Sequence, residues 1–514
     1  MNSATQAQPT KPKNIVICSD GTGNSAIKDR GTNVFKLYEA VDVNGHLNNS
    51  ALTPQITFYD DGVGTETFKP LKVLGGAFGW GLSRNVKELY AGLVRSYDHG
   101  DKIFLFGFSR GAYTVRALGG FISACGILDH NNLYATDADL VGAVGEAYEV
   151  YRSKYMMGIR HDVQTLRQKL APQSAAPSQF DVKVASFRKQ HAVHDERIAF
   201  IGVWDTVDAV GFPIAGVAAF INYVVYPYKF SDLTLSPKVD QARHALSIDD
   251  ERYTFHPYMW AESPTDHDRI KQAWFSGVHA NVGGGYPKQG MSLVSLDWMM
   301  VEAERAGLRF IADDRSYYHD HQNVNDKLYN SRAGLAVYYR YKPRDIHKIC
   351  MKSNTTAKIH ETVIDRIKQC TEGYAPGNLP AGLTVVATGG HVTRHPNAGN
   401  VITSAYGKDT SLLDRVKSQV WIRRISHYVF LLLSLLALVY AVWPVFAKQQ
   451  GTVAVLGALF SMDIASVLSI ELFTDWWFDM IVVLIGVFYL IGWWAEHSMR
   501  RKFSAFWHTV TRRL

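Results

Sequence analysis

Between residues 14 and 310 the chain alternates short unbroken apolar runs with longer stretches whose apolar positions recur at helical spacing. Asn14–Cys18 (NIVIC), Gln55–Tyr59 (QITFY), Lys102–Phe106 (KIFLF), Ile198–Val203 (IAFIGV) and Gln272–Phe275 (QAWF) are the predicted strands. Apolar runs without polar alternation mark strands covered on both faces, as in a parallel sheet. Gly- and Asp-rich turns and helix-like stretches such as Asn33–Val41 and Asn85–Ser96 follow several of them. That is a βαβ order, which predicts a mostly parallel, doubly wound α/β sheet with its working residues at the strand carboxyl ends. Residues 136–195 read as a polar helical insertion, and residues 311–400 carry no clear period.

Near residue 425 the pattern changes. Val429–Ala447 holds no formal charge and Trp476–Ala495 only Asp479. Each is close to the roughly 20 residues that cross a bilayer. Thr452–Ile470 is apolar but carries Asp463, and it reads as interfacial or re-entrant. The alternative, a buried helical hairpin of a soluble domain, fits poorly because core helices of this length usually keep a polar face. Arg415, Lys417, Arg423 and Arg424 precede the first stretch, and Arg500, Arg501, Lys502, Arg512 and Arg513 follow the second. Positive flanks place both outer ends, and the large N-terminal region, on the cytoplasmic side. Tryptophans 443, 476, 477, 493 and 494 sit where an aromatic belt would. The tail from Lys502 interleaves basic residues with Phe503, Phe506 and Trp507, a pattern suited to an anionic leaflet or to a solvated end. The expected organisation is a disordered 1–13, a catalytic domain 14–400, a basic linker 401–428, a membrane hairpin 429–495 and a basic amphipathic tail 496–514.

Composition narrows this picture. The 514 residues are 47% hydrophobic and 20% charged, which excludes a disordered chain. A net charge of +7 is too small to indicate a nucleic-acid partner. Four scattered cysteines, with no CxxC pair, argue against a disulfide framework or zinc site and for a reducing compartment. The first thirteen residues lack an apolar core, so no Sec signal is expected there.

The chemistry begins at Lys102–Phe121, where a strand runs into Gly107-Phe108-Ser109-Arg110-Gly111 and then a helical pattern. GxSxG alone is weak, but a tight strand-to-helix turn presents its serine at a helix N-terminus, where an oxyanion is favoured. Ser109 is therefore the candidate nucleophile, with the Arg110 amide as one oxyanion donor. A serine needs a base and an orienting acid, each from a later strand end. Asp205 closes the run IAFIGVWDTV, and His279 leaves QAWFSGVHANVGGGY beside three glycines. Asp208 rivals Asp205. His360 rivals His279, although its helical surroundings favour a partly exposed surface residue. The first strand ends in Asp20-Gly21-Thr22-Gly23-Asn24, which matches neither phosphate-loop pattern. The Gly21 or Thr22 amide is the candidate second oxyanion donor. Asp20 and Asp61 are read as pinning the rim loops, with a calcium site as the alternative. No metal or cofactor is required by this chemistry.

The segments CSDGTGN, YDDGVGT, GFSRGAYTVRALGGFI, FIGVWDTVDAVG, ARHALSIDDER and WFSGVHANVGGGYP occur in that order. Together they resemble the DUF2235 family, which contains the Tle1-type phospholipase effectors of bacterial type VI secretion. The resemblance spans roughly residues 13–310. It implies an α/β-hydrolase fold and a lipolytic Ser-Asp-His triad, which here falls on Ser109, Asp205 and His279. The expected function is a membrane-associated serine hydrolase of (phospho)lipid acyl esters, with a lipid bilayer as partner. It would lie at a bacterial inner membrane or be delivered to a target-cell membrane. The alternatives are a scaffold whose hairpin permeabilises or oligomerises in membrane, and an esterase on a non-lipid substrate. A homo-oligomer and an immunity or delivery partner would leave no local signature.

Overall fold

The computed structural model describes residues 11–21, 31–62, 76–130, 134, 136–155, 179–207, 233–266, 268–407, 411–447 and 475–514. Its strands are β1 (Asn14–Ser19), β2 (Gln55–Asp60), β3 (Lys102–Phe108), β4 (Ile127–Leu128), β5 (Val193–His194), β6 (Ile198–Trp204), β7 (Val239–Ser247), β8 (Ile270–Phe275), β9 (Lys358–His360) and β10 (Thr384–Val386). Eight of them form one sheet in the order β10-β9-β8-β7-β6-β3-β1-β2, with every neighbouring pair parallel. β4 and β5 make a small antiparallel pair of their own.

All five strands expected from sequence are present, and the core explains their unbroken apolarity. Ile15, Ile17, Ile103 and Leu105 enter one cluster, while Val16, Cys18, Phe104 and Phe106 enter another. Successive strand residues point to opposite faces, so both faces are apolar and both are covered. The Arg110–Cys125 helix packs on the first cluster and the Gly290–Arg305 helix on the second.

Central strand β7 escapes the apolar pattern because it carries Asp240, Gln241, Arg243 and His244. Its buried polar groups are paired. Arg243 Nε lies 2.6 Å from Glu302 Oε2, and His244 accepts from the Thr206 amide at 3.1 Å. Paired in this way, charge is tolerated inside a sheet.

Chain order reverses beside β1, which has β2 on one side and β3 on the other. The carboxyl ends of β1 and β3 therefore border a crevice, the usual ligand position in an open parallel sheet.

Two long helices, Lys417–Ala447 and Trp476–Thr511, run antiparallel: Ala441 clusters with Phe478 at one end, and Arg423 donates to the Gly492 carbonyl at 2.7 Å near the other. Both are long and apolar enough to cross a membrane. Their outward leucines and valines, among them Leu432, Leu435, Val483 and Leu490, are exposed, unlike those of a buried hairpin. Thr452–Ile470, read above as interfacial, lies outside the described residues.

The tail does not fray, and its apolar stripe does not face outwards. It continues the second helix, and Met499, Phe503, Trp507 and Val510 are buried against Val363, Ile364 and Tyr374. Trp507 Nε1 donates to the Pro376 carbonyl at 2.8 Å. The apolar stripe offered to a membrane is covered by protein instead.

Candidate active site

Ser109 stands between β3 and the Arg110–Cys125 helix with φ 58° and ψ −118°, a conformation that costs a non-glycine residue roughly 1–3 kcal/mol. Its glycine neighbours explain how the turn closes. A Cβ on Gly111 would sit 2.0 Å from the Ser19 carbonyl oxygen, and one on Gly107 2.6 Å from the Gly111 carbonyl. The helix start thus abuts β1 and β3 so closely that no side chain fits. The Ser109 amide donates to the Trp204 carbonyl at 3.0 Å, tying the turn to the end of β6.

β3 and β6 are in register at Phe108 and Trp204, so Asp205 leaves the sheet beside Ser109. Asp205 also has positive φ, at 41°, and its side chain is fully buried. His279 opens a short helix, His279–Gly283, beyond the end of β8. Its Nδ1 lies 2.6 Å from Asp205 Oδ2, and its amide donates to Asp250 Oδ2 at 3.2 Å. Phe108 and Phe255 flank the imidazole at centroid distances of 4.6 and 4.9 Å. Nδ1 faces the carboxylate, and Nε2 lies on the opposite edge of the ring. Nε2 is buried and has no hydrogen-bond partner among the described residues.

Two groups absent from the sequence reading complete this arrangement. Arg344, fully buried, grips Asp205 with both terminal nitrogens, Nη1 to Oδ1 at 2.7 Å and Nη2 to Oδ2 at 2.8 Å. Ser247 adds its amide at 3.0 Å and its hydroxyl at 3.1 Å. Burial opposes ionisation of Asp205, yet the Arg344 guanidinium and the His279 pair hold its carboxyl far below the usual carboxylate range. Burial holds the His279 imidazole below its ordinary value, against the Asp205 carboxylate, which raises it. Burial, with the Arg252 charge, thus favours the neutral imidazole, the form that accepts a proton. Nearby, Asp249 accepts from the Gly277 amide at 2.7 Å, so the tandem acids of ARHALSIDDER pin the turn before His279. His244 anchors the Asp205 side through Thr206 and Gln272.

The other candidates divide. Asp20 is buried and accepts from Thr32 Oγ1, from Tyr59 at 2.8 Å and from the Gly21 amide at 2.6 Å. The Gly21 amide is therefore engaged by its neighbour's carboxylate, and Thr22 lies outside the described residues. The Arg110 amide belongs to the first helical turn, next to Ser109. Asp61 is exposed at the rim, while Asp60 ties β2 to Ser19 at 2.7 Å and to Asn85 at 3.0 Å. Among the described residues no group of three or more His, Cys, Asp or Glu side chains is placed to hold a metal. Asp208 lies outside the described residues. His360 is not a surface residue: it closes β9, is buried, bonds Thr362 and Thr388 at 2.9 and 3.1 Å, and stacks on Phe275. A three-residue strand entering a helix directly is too short to show a period, which is why its position looked helical.

Fold and site together define a parallel α/β protein that gathers a strained serine turn, a buried carboxylate and a histidine at one sheet edge. The family "T6SS, Phospholipase effector Tle1-like, catalytic domain" matches residues 13–302, more than half of the chain, and the chain belongs to it. Over 265 residues the chain is 25% identical to an uncharacterized protein of Saccharomyces cerevisiae, covering 49% of this chain and 33% of that protein. A crystal structure of an uncharacterized protein from Pseudomonas aeruginosa aligns with TM-score 0.33 and 18% identity over 59% of this chain and 47% of that one. The chain thus spans about a third of the yeast protein and under half of the other.

Proposed function

We propose that this protein is a membrane-associated serine hydrolase of the α/β-hydrolase type that cleaves acyl esters of phospholipids. Ser109 Oγ attacks the acyl carbonyl while its proton passes to His279 Nε2. The tetrahedral oxyanion, stabilised by the Arg110 amide and the helix dipole, collapses as the ester C–O bond breaks and the imidazolium protonates the leaving alcohol. Water, deprotonated by the same imidazole, then releases the fatty acid from the acyl-serine. Asp205 holds the tautomer with hydrogen on Nδ1. The long helices anchor the catalytic domain at the bilayer surface, which raises local substrate concentration.

The observation that carries this reading is the 2.6 Å His279–Asp205 contact, with Nε2 on the far edge of the ring unbonded among the described residues and Ser109, in a strained strand-to-helix turn, at the strand end next to Asp205. Ser109→Ala should abolish release of fatty acid from defined phospholipids, followed by mass spectrometry, while leaving fold and membrane association unchanged. Activity retained in that variant would eliminate the mechanism.

A further inference from the structure

A cavity of about 430 Å³ opens where the two long helices meet the soluble domain. Arg332, Arg423, Arg500 and His427 line it, against one lining carboxylate, Glu496. Arg423 and Arg500 both pair with Glu496, the latter at 2.8 Å, so two guanidinium groups share one acid. Arg332 is buried and hydrogen-bonds no carboxylate among the described residues: Nη2 donates to the Val337 carbonyl at 3.1 Å and lies 3.2 Å from His427 Nδ1, while Glu251 and Glu496 act on it through space. Arg332 and Arg423 also crowd one ring, lying 5.2 and 4.4 Å from the centroid of Tyr341. Burial and then the neighbouring Arg423 charge push the Arg332 guanidinium below its ordinary value.

Hydrogen-bond chemistry fixes the polarity of the cavity wall. Arginine can only donate, so His427 Nδ1 must accept from Arg332, and the imidazole proton is then on Nε2. Nε2 of His427 and the Nε atoms of Arg332 and Arg423 are buried without a hydrogen-bond partner among the described residues. Arg332 and His427 are each more than nine-tenths buried. Three arginines against the carboxylates of Glu496 and Glu251 leave surplus positive charge on residues that line one cavity, which calls for an anion with several acceptor oxygens. The volume exceeds what a bare ion needs, and Tyr489 and Trp493, half exposed at its mouth, are residue types that settle at a lipid interface.

We propose that this cavity binds a phosphate group, that of an anionic lipid headgroup or free phosphate, at a site separate from Ser109. Orientation by positive flanking charge leaves Arg423 and Arg500 as generic flank residues; here they are the walls of a specific receptor for the anion.

The test is calorimetric titration of the full-length protein in dodecyl maltoside micelles. The probes are a short-chain ether-linked phosphatidylglycerol, its phosphatidylcholine counterpart and inorganic phosphate. The ether lipids contain no acyl ester, so the result does not depend on the hydrolase reading. Saturable binding of phosphatidylglycerol, at least about tenfold tighter than phosphatidylcholine, is expected if the source is a lipid headgroup. Equal binding of inorganic phosphate assigns the site to the free anion. Arg332→Gln should weaken whichever probe binds by about tenfold or more, and Glu496→Gln, which removes the competing carboxylate, should tighten it. Absence of saturable binding by any probe overturns the proposal, as does Arg332→Gln with unchanged affinity. If Arg332→Gln fails to fold, Glu496→Gln decides: tighter binding supports the site, and equal or weaker binding refutes it.

Discussion

Replacing Arg344 with Met separates the electrostatic design of the site from its shape. In the native protein two bonds of 2.7 and 2.8 Å join Arg344 to Asp205, and both side chains are fully buried. Met keeps the length and removes the charge. Asp205 would retain only the Ser247 contacts at 3.0 and 3.1 Å and the His279 contact. Breaking one partner out of a buried pair costs about 3–5 kcal/mol, because the remaining carboxylate stays desolvated. At about 2 °C per kcal/mol for a large domain, melting should fall by roughly 6–10 °C. The sign of the pH dependence follows from the depressed folded-state acidity of Asp205. Its stabilisation is complete above the unfolded carboxylate range and is lost as pH falls, so the gap between variant and native protein should narrow in acid. Catalysis responds separately. His279 must be neutral to act as base, and burial holds it below its ordinary 6.5, so native kcat/KM should fall only as pH drops below that value. With the guanidinium gone, the uncompensated Asp205 charge favours the imidazolium, and the acid limb should move to higher pH. The assay is kcat/KM against pH on a soluble acyl ester, with thermal melting by circular dichroism. An Arg344→Met variant with native melting and an unshifted acid limb would refute the claim that Arg344 sets the charge state of the pair.

Two further predictions concern packing. Gly111→Ala places a methyl group 2.0 Å from the Ser19 carbonyl oxygen, a backbone atom that cannot rotate away, so stability should fall by about 3 kcal/mol or more and activity with it; denaturant midpoints and ester hydrolysis measure both. Trp507→Ala removes a buried indole and its bond to the Pro376 carbonyl, which should cost about 3–5 kcal/mol in urea unfolding followed by fluorescence of the remaining tryptophans; an unchanged midpoint would mean that the tail is not part of the core.

The features legible in sequence are those decided within one turn of chain. Ser109 announces itself because an apolar strand, two glycines and a helical run are contiguous in the sequence. Asp205 and His279 were readable for the same reason, as the first chemistry-bearing residues beyond apolar runs. β7 was not readable, since its polar residues are stable in mid-sheet only through Glu302 on a later helix and Gln272 on β8. The tail shows a different limit: Phe503 and Trp507 form an apolar stripe whether the surface they meet is lipid or protein, and only the tertiary structure names the surface.

Arg344 marks the deeper division. It acts on a residue 139 positions away, from a region with no periodicity to single it out, and it resembles any other surface arginine until Asp205 is placed beside it. Charge neutralisation of this kind is a property of pairs and leaves no trace in either local pattern. The same holds for Arg332 on one side and Arg423 and His427, one turn apart on a single helix, on the other: they acquire a common meaning only where they line one cavity. Local rules therefore recover which atoms could react, while the groups that set their ionisation, and those that would receive a second ligand, emerge from burial. For this chain the practical consequence is directional: substitutions at Ser109, Asp205 and His279 test whether the chemistry occurs, whereas substitutions at Arg344 test why it should run at neutral pH with a buried acid that never takes the proton.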